Sequence, residues 1–558
     1  MRLRFLFLIF LFAWIALVIR LFYWQVKSFD KLFLAAKLQQ QSKEIFTAPR
    51  GKIFSADDFS LVFSTQKFSL ILQPNLIEDP QKIWTQIASV SAQNINQEKF
   101  FKIAEDKKVY WYQILKGFSL EDKEKIAQKK LTGVNFESYW SRTYPEASMA
   151  AQMLGFVGAD EAGKEKGYYG LEGFYNRELT SVSGEKIGER DLLGRSILLG
   201  NDDETSSEPG RDLYLFLDRS IQYLAEKALI NGINKYQAIS GSVVVMEPNS
   251  GGILAMASWP SFEPNNFANG DKINFTNPVI YSGFEPGSIF KPFVVATGVD
   301  LGLVKPDSIC QICGGPVQIG EYTIKTWNEK YYPNSTITEV IQHSDNVGMV
   351  YVSKKIGVKN LNYYLKRLGF GEKTGIDLEE EATPSLRAEN TWSEIDLATA
   401  GFGQGIAVTS IQITRAMAAI ANGGKLVTPK VVAKIAEGER EILLRKTEEK
   451  QVFKPITAKV IKEMMVNAVE RGEAKWAKPK GYKIAGKTGT AQIPLAGHYD
   501  ENKTIASFIG FAPADNPKFV MLVILREPKT SPWGSETAAP LWFEIAKGIF
   551  RVKGILPS

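Results

Sequence analysis

The chain has 558 residues, of which 44% are hydrophobic and 23% are charged. This length predicts roughly three or four domains, and the composition argues against a disordered chain, a coiled coil or a polytopic membrane protein. Both signs of charge are spread along the chain, with a net charge of +6, so nucleic acid is not expected as a partner. Two histidines and two cysteines argue against a His-rich metal centre or a disulfide framework. We therefore expect no metal and no cofactor, and any catalysis must use Ser, Lys, Asp, Glu or Tyr.

The first thirty residues predict a membrane anchor. In residues 5–26 the only charge is Arg20, and this stretch of 22 residues would form a helix of roughly 33 Å, which is enough to cross a bilayer. Arg2 and Arg4 precede it, which favours a cytoplasmic N-terminus. A cleaved signal peptide begins in the same way, but no small-residue cleavage site follows. We expect a retained single span with the rest of the chain outside the cytoplasm.

The part after the anchor divides once. Residues 200–211 read GNDDETSSEPGR, a polar stretch with the glycine and proline typical of a linker. We therefore divide the chain into residues 1–26 (anchor), 27–211 (a non-catalytic module) and 212–558 (the domain that carries the chemistry).

The third segment has the pattern of an α+β domain. Its predicted strands are residues 242–246, 253–258, 482–485, 505–511 and 519–525. The first two read as a pair joined by the turn PNSG, and helical patterns separate them from the last three. Such an order favours one antiparallel sheet packed with helices.

The first chemical motif is a serine followed by a lysine. Residues 285–292 read EPGSIFKP, and the apolar run behind them predicts a buried helix. If Ser288 caps this helix, Lys291 lies one turn later on the same face. A serine hydroxyl needs an adjacent base, and a lysine can serve where burial, a helix N-terminus or a second cation lowers its pKa. By itself Ser-x-x-Lys is a weak motif, because it also occurs on exposed helix faces.

Two further clusters strengthen this interpretation. They are Ser344-Asp345-Asn346 and Lys487-Thr488-Gly489-Thr490. The first follows a helix that opens with the capping box TITE at residues 336–339, and the second continues a predicted strand. The glycine leaves room for a substrate backbone, and the threonines offer hydroxyls to a carboxylate. The order Ser-x-x-Lys, Ser-x-Asn, Lys-Thr-Gly indicates a serine acyl-transfer site.

With these motifs the chain resembles a class B penicillin-binding protein, an anchored peptidoglycan D,D-transpeptidase of the penicilloyl serine transferase superfamily. Further matching motifs are RLFYWQV at residues 20–26, RGKI at 50–53, RTYP at 142–145, GLE at 170–172, WPSFEPN at 259–265, GQG at 403–405 and FIGFAP at 508–513. One departure follows RGKI, where the family usually has Asp-Arg-Asn-Gly and this chain has ADDF at residues 56–59. The resemblance implies a transmembrane helix, an elongated mixed α/β pedestal, and a serine β-lactamase-like transpeptidase domain with a five-stranded antiparallel sheet flanked by helices.

The resemblance also implies catalytic roles. Ser288 would attack the penultimate D-Ala carbonyl of a stem peptide, and Lys291 would accept its proton. Ser344 and Lys487 would pass a proton to the departing D-Ala, and Asn346 would hold the amide of the donor.

The remaining implied roles concern binding and partners. Backbone N–H groups of Ser288 and Thr490 would form the oxyanion hole. Thr488 and Thr490 would hold the terminal carboxylate, and Gly489 would complete the substrate-binding strand by leaving room for the substrate backbone. An amine of a neighbouring stem peptide would take the acyl group, and β-lactams would imitate the donor. The resemblance further implies location in the plasma membrane with the catalytic domain periplasmic or extracellular. Its implied partners are a SEDS-type glycosyltransferase and other divisome or elongasome membrane proteins.

Other functions remain open from sequence alone. A D,D-carboxypeptidase or a class D-like β-lactamase uses the same serine, and an anchored β-lactam receptor binds drug without turnover. A scaffold with an inactive domain is a further alternative, although every motif residue is intact. The residues leave open whether septal or lateral wall growth is served.

Four other residues have simpler interpretations. Cys310 and Cys313 predict either a local disulfide or two unused thiols, because no second cysteine pair is available for zinc. His343 is expected to pack rather than to react. His498 is expected in a loop near the Lys-Thr-Gly strand, where it could line the rim of the cleft.

Overall fold

The computed structural model describes residues 2–90, 96–189, 203–442, 449–495 and 498–557, with the side chains of 36–44, 187–189, 203–204, 494–495 and 498–502 left out. The chain forms two compact units, each made of separate segments. The first comprises residues 1–50, 65–141 and 180–210, and the second comprises residues 51–64, 142–179 and 211–558. The domain limits 1–26, 27–211 and 212–558 stay a prediction.

The first unit begins with an apolar helix. It is α-helical over Arg2–Phe22 and π-helical over Tyr23–Lys27, and a further helix spans Phe29–Gln40. Within residues 2–27, a stretch of 18 residues has a mean hydropathy of 2.7, and none of that stretch is buried. Among the described residues it is the one helix long and apolar enough to cross a bilayer. It fits the predicted membrane anchor.

The rest of the first unit is a mixed α/β module. Its strands are Gln41–Phe46, Ser60–Leu72 (from residue 65), Tyr112–Phe118, Val134–Thr143 (to residue 141), Gly184–Glu189 and Asp203–Thr205. Its other helices are Pro74–Leu76 (3₁₀), Pro80–Ala88, Gln97–Ala104 and Leu120–Ala127. Asp79, Asn96 and Ser119 cap the last three with their side chains, and Phe100 and Phe118 lie in the buried core.

The predicted linker is wrong at residues 203–205. Asp203–Thr205 pairs antiparallel with Gly184–Glu189, and the Thr205 hydroxyl accepts a hydrogen bond from the Glu185 backbone N–H at 3.0 Å. A polar composition therefore did not exclude a strand, because ladder hydrogen bonds join backbone groups whatever the side chains are. Residues 200–202 of the predicted linker lie outside the described residues.

The second unit contains most of the chain. Its strands are Ile53–Phe54, the start of Ser60–Leu72, Phe156–Ala159, Glu165–Tyr168, Asp212–Leu215, Ser240–Met246, Ile253–Trp259, Val317–Ile319, Tyr322–Ile324, Lys425–Leu426, Val432–Glu437, Arg440–Ile442, Lys450–Gln451, Ala485–Leu495, His498–Ala512 and Phe519–Arg526. Its α-helices are Ala151–Leu154, Gly170–Phe174, Asn176–Leu179, Arg219–Tyr236, Pro278–Tyr281, Lys291–Asp300, Ile337–Gln342, Asn346–Arg367, Glu394–Ala400, Ser410–Ala421, Pro455–Arg471 and Ala538–Val552. Its 3₁₀ turns are Pro264–Asn269, Lys272–Asn274, Gly287–Phe290, Glu389–Thr391 and Lys475–Ala477.

A five-stranded antiparallel sheet forms the centre of this unit. Its strand order is Ile253–Trp259, Ser240–Met246, Phe519–Arg526, His498–Ala512, Ala485–Leu495. Four of the five predicted strands are confirmed. The strand predicted at residues 482–485 is wrong except for its last residue, because pairing with the neighbouring strand begins only at Ala485. Tyr482 lies before the strand and stacks its ring on Phe550 with centroids 4.1 Å apart.

Side-chain alternation explains why helices cover both faces of the sheet. Val243 and Val245 point into one apolar core, which includes residues of the helices Arg219–Tyr236 and Ala538–Val552. Val244 and Met246, on the same strand, point into the other core. That second core includes residues of the helices Lys291–Asp300 and Ser410–Ala421. The α+β prediction with one antiparallel sheet is therefore confirmed.

The two cysteines form a disulfide, Cys310–Cys313. This bond decides between the two alternatives that the sequence left open. Both residues lie in the apolar core rather than in the cleft described below.

Candidate active site

The turn that carries Ser288 lies directly before a buried helix. Gly287–Phe290 is one 3₁₀ turn, and the α-helix starts at Lys291. The prediction that Ser288 caps the α-helix is wrong, because Ser288 lies inside the 3₁₀ turn and Phe290 precedes the first α-helical residue. Side chains three residues apart eclipse each other in a 3₁₀ helix, so Ser288 and Lys291 still project to the same side.

The loop that contains the GQG motif, residues 403–405, packs against this turn. The Gly287 N–H donates to the Gly403 carbonyl at 3.0 Å, and Gly287 itself has φ +55°. Gly403 has φ +80°, and a Cβ there would lie 2.2 Å from the Gly287 carbonyl oxygen. Only glycine fits this position, for conformation and for space. The GQG motif therefore positions the serine turn.

The second cluster lies between two helices. The helix Ile337–Gln342 opens with the predicted capping box of Thr336 and Glu339, and Asp345 caps the next helix by accepting two backbone N–H bonds at 2.8 and 3.1 Å. Ser344, at the junction, has φ +57°. Such a left-handed conformation is costly for a residue other than glycine, and strain of this kind concentrates at functional sites.

The third cluster lies on the edge strand of the sheet, Ala485–Leu495. A Cβ at Gly489 would lie 2.8 Å from Ile289 Cγ2 and 2.5 Å from Ser507 Oγ. The absence of a side chain at Gly489 therefore lets the edge strand approach the serine turn. The Thr490 hydroxyl accepts a hydrogen bond from the Gly534 N–H at 3.0 Å, which orients it.

The hydroxyl of Ser344 joins the lysines of the other two clusters. Lys291 Nζ donates to Ser344 Oγ at 3.2 Å, and Lys487 Nζ donates to the same oxygen at 3.0 Å. Lys291 Nζ also donates to the Ser344 carbonyl at 2.6 Å and to Asn346 Oδ1 at 2.9 Å. The Asn346 amide nitrogen in turn donates to the Lys325 carbonyl at 3.1 Å. The three sequence motifs thus form one hydrogen-bonded network.

The network opens into a cleft. The cleft is lined by Gly287, Ser288, Trp327, Ser344, Asn346, Phe402, Gln404, Glu473, Thr488, Thr490 and Trp533. Ser288 is half-buried at its wall, and no other described residue forms a hydrogen bond with its hydroxyl. The hydroxyl is therefore available to a molecule in the cleft.

Burial changes the protonation of both lysines. Lys291 is fully buried and Lys487 is 3% exposed. Desolvation, together with the neighbouring charge of Lys487, holds the pKa of Lys291 well below its ordinary value. Desolvation lowers the pKa of Lys487 to about 8. Lys291 can therefore be neutral near pH 7 and accept a proton, whereas Lys487 with a pKa of about 8 is mostly protonated there.

Several cleft residues were not among the sequence-based candidates. Gln404 lies in the GQG motif, one of those that match the family. Trp327, Trp533 and Glu473 lie in none of the sequence motifs described above. The two tryptophan rings meet edge to face with centroids 4.8 Å apart and form part of the cleft wall. Residues from such separate parts of the chain could be found only from the fold.

The histidine predictions have different outcomes. His343 stacks on the Tyr332 ring with centroids 4.1 Å apart, which confirms a packing role. His498 begins the strand His498–Ala512, so the predicted loop is wrong at this residue. The side chain of His498 lies outside the described residues, and its place at the rim of the cleft stays a prediction.

Comparison with known families matches both halves of the chain. Residues 241–550 match the family model of the penicillin-binding protein transpeptidase domain, and residues 45–215 match that of the penicillin-binding protein dimerisation domain. Together the two models cover the sheet, the cleft and most of the first unit.

Curated relatives and solved structures agree with this match. Stage V sporulation protein D of Bacillus subtilis (strain 168) is 32% identical over 545 residues, which cover 96% of this chain and 83% of that protein. Peptidoglycan D,D-transpeptidase FtsI of Escherichia coli (strain K12) is 33% identical over 439 residues, 78% of this chain and 71% of that protein. The crystal structure of penicillin-binding protein 2X from Streptococcus thermophilus has the same fold, with a TM-score of 0.77 at 22% identity over 92% of this chain and 80% of that one. The chain therefore belongs to the class B penicillin-binding proteins.

Proposed function

We propose that this protein is a peptidoglycan D,D-transpeptidase that acts through an acyl-enzyme on Ser288. The observation that carries the proposal is the shared Ser344 hydroxyl, which connects two buried lysines beside the serine turn. The relative FtsI, named a peptidoglycan D,D-transpeptidase, supports the same reaction. The reaction serves cell-wall synthesis during division or elongation, and β-lactams inhibit it.

In the acylation step, neutral Lys291 takes the proton of the Ser288 hydroxyl. The serine oxygen forms a bond to the penultimate D-Ala carbonyl carbon of the donor stem peptide, and backbone N–H groups of Ser288 and Thr490 stabilise the oxyanion. The carbon–nitrogen bond then breaks. Ser344 and Lys487 deliver a proton to the departing D-Ala nitrogen, so the D-Ala leaves as a neutral amine.

The edge strand and the Ser344 cluster hold the donor. Asn346 binds its amide, and Thr488 and Thr490 bind its terminal carboxylate, while Gly489 gives the backbone room to approach. An amine of a neighbouring stem peptide then attacks the acyl carbon and returns a proton to the Ser344–Lys487 pair. The ester bond to Ser288 breaks, protonated Lys291 gives its proton back to the Ser288 oxygen, and the new amide bond is the cross-link.

The lifetime of a penicillin adduct tests this function against the hydrolases. A transpeptidase whose acceptor is an amine should keep the penicilloyl group for a long time, whereas a class D-like β-lactamase releases it with water. After a brief exposure to penicillin and removal of free drug, we expect the intact-protein mass to retain the adduct in samples taken long after the drug is gone. Release within seconds, with steady drug hydrolysis, would favour the lactamase.

Displacement of the serine turn should slow acylation without unfolding the chain. Gly403→Ala places a Cβ 2.2 Å from the Gly287 carbonyl, so the turn must shift. We expect the rate of acylation by penicillin to fall roughly 10²-fold, as for other misplacements of reacting groups.

The matched control for this prediction is Gly405→Ala. Gly405 has φ +71°, but a Cβ there would lie no closer than 3.6 Å to another residue. It carries the same backbone strain without the contact. Equal rates for the two variants would show that the contact with the turn is unimportant.

We further propose a topology and a partner for the anchor. Arg2 and Arg4 place the N-terminus in the cytoplasm by charge, and the catalytic unit lies outside the plasma membrane. The apolar side chains of residues 2–27 are exposed and can pack against helices of another membrane protein. The partner is a SEDS-type glycosyltransferase, together with other divisome or elongasome proteins.

Exchange of the anchor tests the partner proposal. When residues 1–26 are replaced by an unrelated single span, acylation by penicillin should persist, whereas co-purification with the polymerase should weaken. Unchanged co-purification would show that the anchor serves only as a tether.

A further inference from the structure

Glu473 lies in the cleft but belongs to none of the three motifs. It follows the helix Pro455–Arg471 and lines the cleft together with Ser288 and Ser344. It also lines a smaller cavity behind the edge strand, where Lys487 forms part of the wall. The Glu473 carboxyl group therefore faces the Lys487 side of the network.

In the described part of the chain, Trp327 is the neutral hydrogen-bond donor that acts on the carboxyl group of Glu473. One of its oxygens, Oε1, is buried and has no hydrogen-bond partner among the described residues. A buried carboxylate oxygen without donors is costly, unless opposite charges stabilise it. The charged or titratable groups that act on it are Lys487 from the edge strand, Lys291 from the serine helix and His343 from the end of the helix Ile337–Gln342.

The proposed reaction requires Lys291 and Lys487 to differ in protonation state. Lys291 must be neutral to accept the serine proton, and Lys487 must be protonated to supply the leaving nitrogen. Both donate to the same Ser344 hydroxyl and both are buried, so desolvation disfavours charge on each of them. Asp345 and Glu473 are the acids that act on Lys291, whereas Glu473 is the acid that acts on Lys487.

We propose that Glu473 is a positioning residue that serves as the counter-ion of Lys487, keeping Lys487 protonated while Lys291 is the neutral base. This inference rests on the proposed function. Burial raises the pKa of Glu473, and the charges of Lys487 and Lys291 oppose that rise. The negative charge of Glu473 in turn raises the pKa of Lys487, and charged Lys487 lowers the pKa of Lys291. Glu473 thus favours a charged Lys487, and the charge of Lys487 in turn disfavours a charge on Lys291.

The pH dependence of acylation tests this inference. A plot of the rate of acylation by penicillin against pH should be bell-shaped. On the acid side the rate falls because the lysine pair takes up a second proton, and on the basic side it falls because the pair loses its last proton. Glu473→Gln removes a negative charge that favours the protonated form of both lysines. Both limbs should therefore move to lower pH, the basic limb by about one unit or more.

The matched control is Glu470→Gln. Glu470 lies on the preceding helix and pairs at the surface with Lys478, outside the cleft. The pH–rate profile of this variant should coincide with that of the wild type. If Glu473→Gln altered only the shape of the cleft, the rate would fall at all pH values and both limbs of the profile would stay in place.

The outcomes separate this inference from the proposed function. If the wild type forms no penicillin adduct, the proposed function fails. If the wild type reacts and a folded Glu473→Gln protein keeps both limbs unmoved, only the inference is overturned. Should the glutamine variant fail to fold, Glu473→Asp decides, since its carboxylate lies farther from Lys487. Its limbs should move in the same direction by a smaller amount, and unmoved limbs would overturn the inference.

Discussion

Penicillin should leave no covalent adduct on the Ser288→Ala variant. The hydroxyl of Ser288 lines the cleft without a hydrogen-bond partner among the described residues, and a buried lysine lies one turn away. Removal of this oxygen removes the atom that forms the ester. Intact-protein mass spectrometry should show a full adduct on the wild type and none on the variant.

A nearby serine provides the control for this prediction. Ser282 lies six residues earlier and is half-buried outside the cleft. Ser282→Ala should form the adduct at the wild-type rate. A full adduct on Ser288→Ala would show that another residue is the nucleophile.

Replacement of Lys291 by arginine should abolish most of the acylation. A guanidinium group does not deprotonate in a protein, so it cannot accept the serine proton. General-base catalysis contributes roughly 10²–10⁴-fold, and we expect a loss of that size in the rate of acylation by penicillin. Thermal unfolding should show that the variant is folded.

The wild-type pH profile tests the same assignment independently. Because burial and Lys487 lower the pKa of Lys291, the acid limb should have an apparent pKa well below that of an ordinary lysine. The rate falls as the pH falls, since protonated Lys291 has no free lone pair. Lys305→Arg, at an exposed lysine beyond the same helix, should leave rate and profile unchanged. A flat profile, or a Lys291→Arg variant near the wild-type rate, would contradict the role of Lys291.

Local sequence patterns correctly predicted several elements of this molecule. The apolar N-terminal helix follows from an apolar run with flanking arginines, and the capping box follows from Thr336 and Glu339, three residues apart. Four strands of the central sheet follow from alternating or continuous apolar residues. Each of these features depends on residues that are close together in the sequence, where steric and hydrogen-bonding rules are strict.

The arrangement of the site could not be predicted in the same way. The Ser344 hydroxyl meets lysines that are 53 and 143 residues away in the chain, and only the packed sheet and helices set those distances. The 3₁₀ turn at Ser288 depends on support from Gly403, another distant residue. Glu473 has no motif at all, and its position became evident only from the cleft and the cavity behind Lys487.

Transfer of a stem peptide to an amine is the most direct test of the central claim. The purified protein is given a donor peptide ending in D-Ala-D-Ala and an amine acceptor, and the products are separated by liquid chromatography and mass spectrometry. We predict that the wild type releases D-Ala in step with formation of the donor–acceptor amide, and that Ser288→Ala forms neither product. Formation of the amide by Ser288→Ala, or release of D-Ala by the wild type with water as the sole acceptor, would contradict a Ser288 transpeptidase.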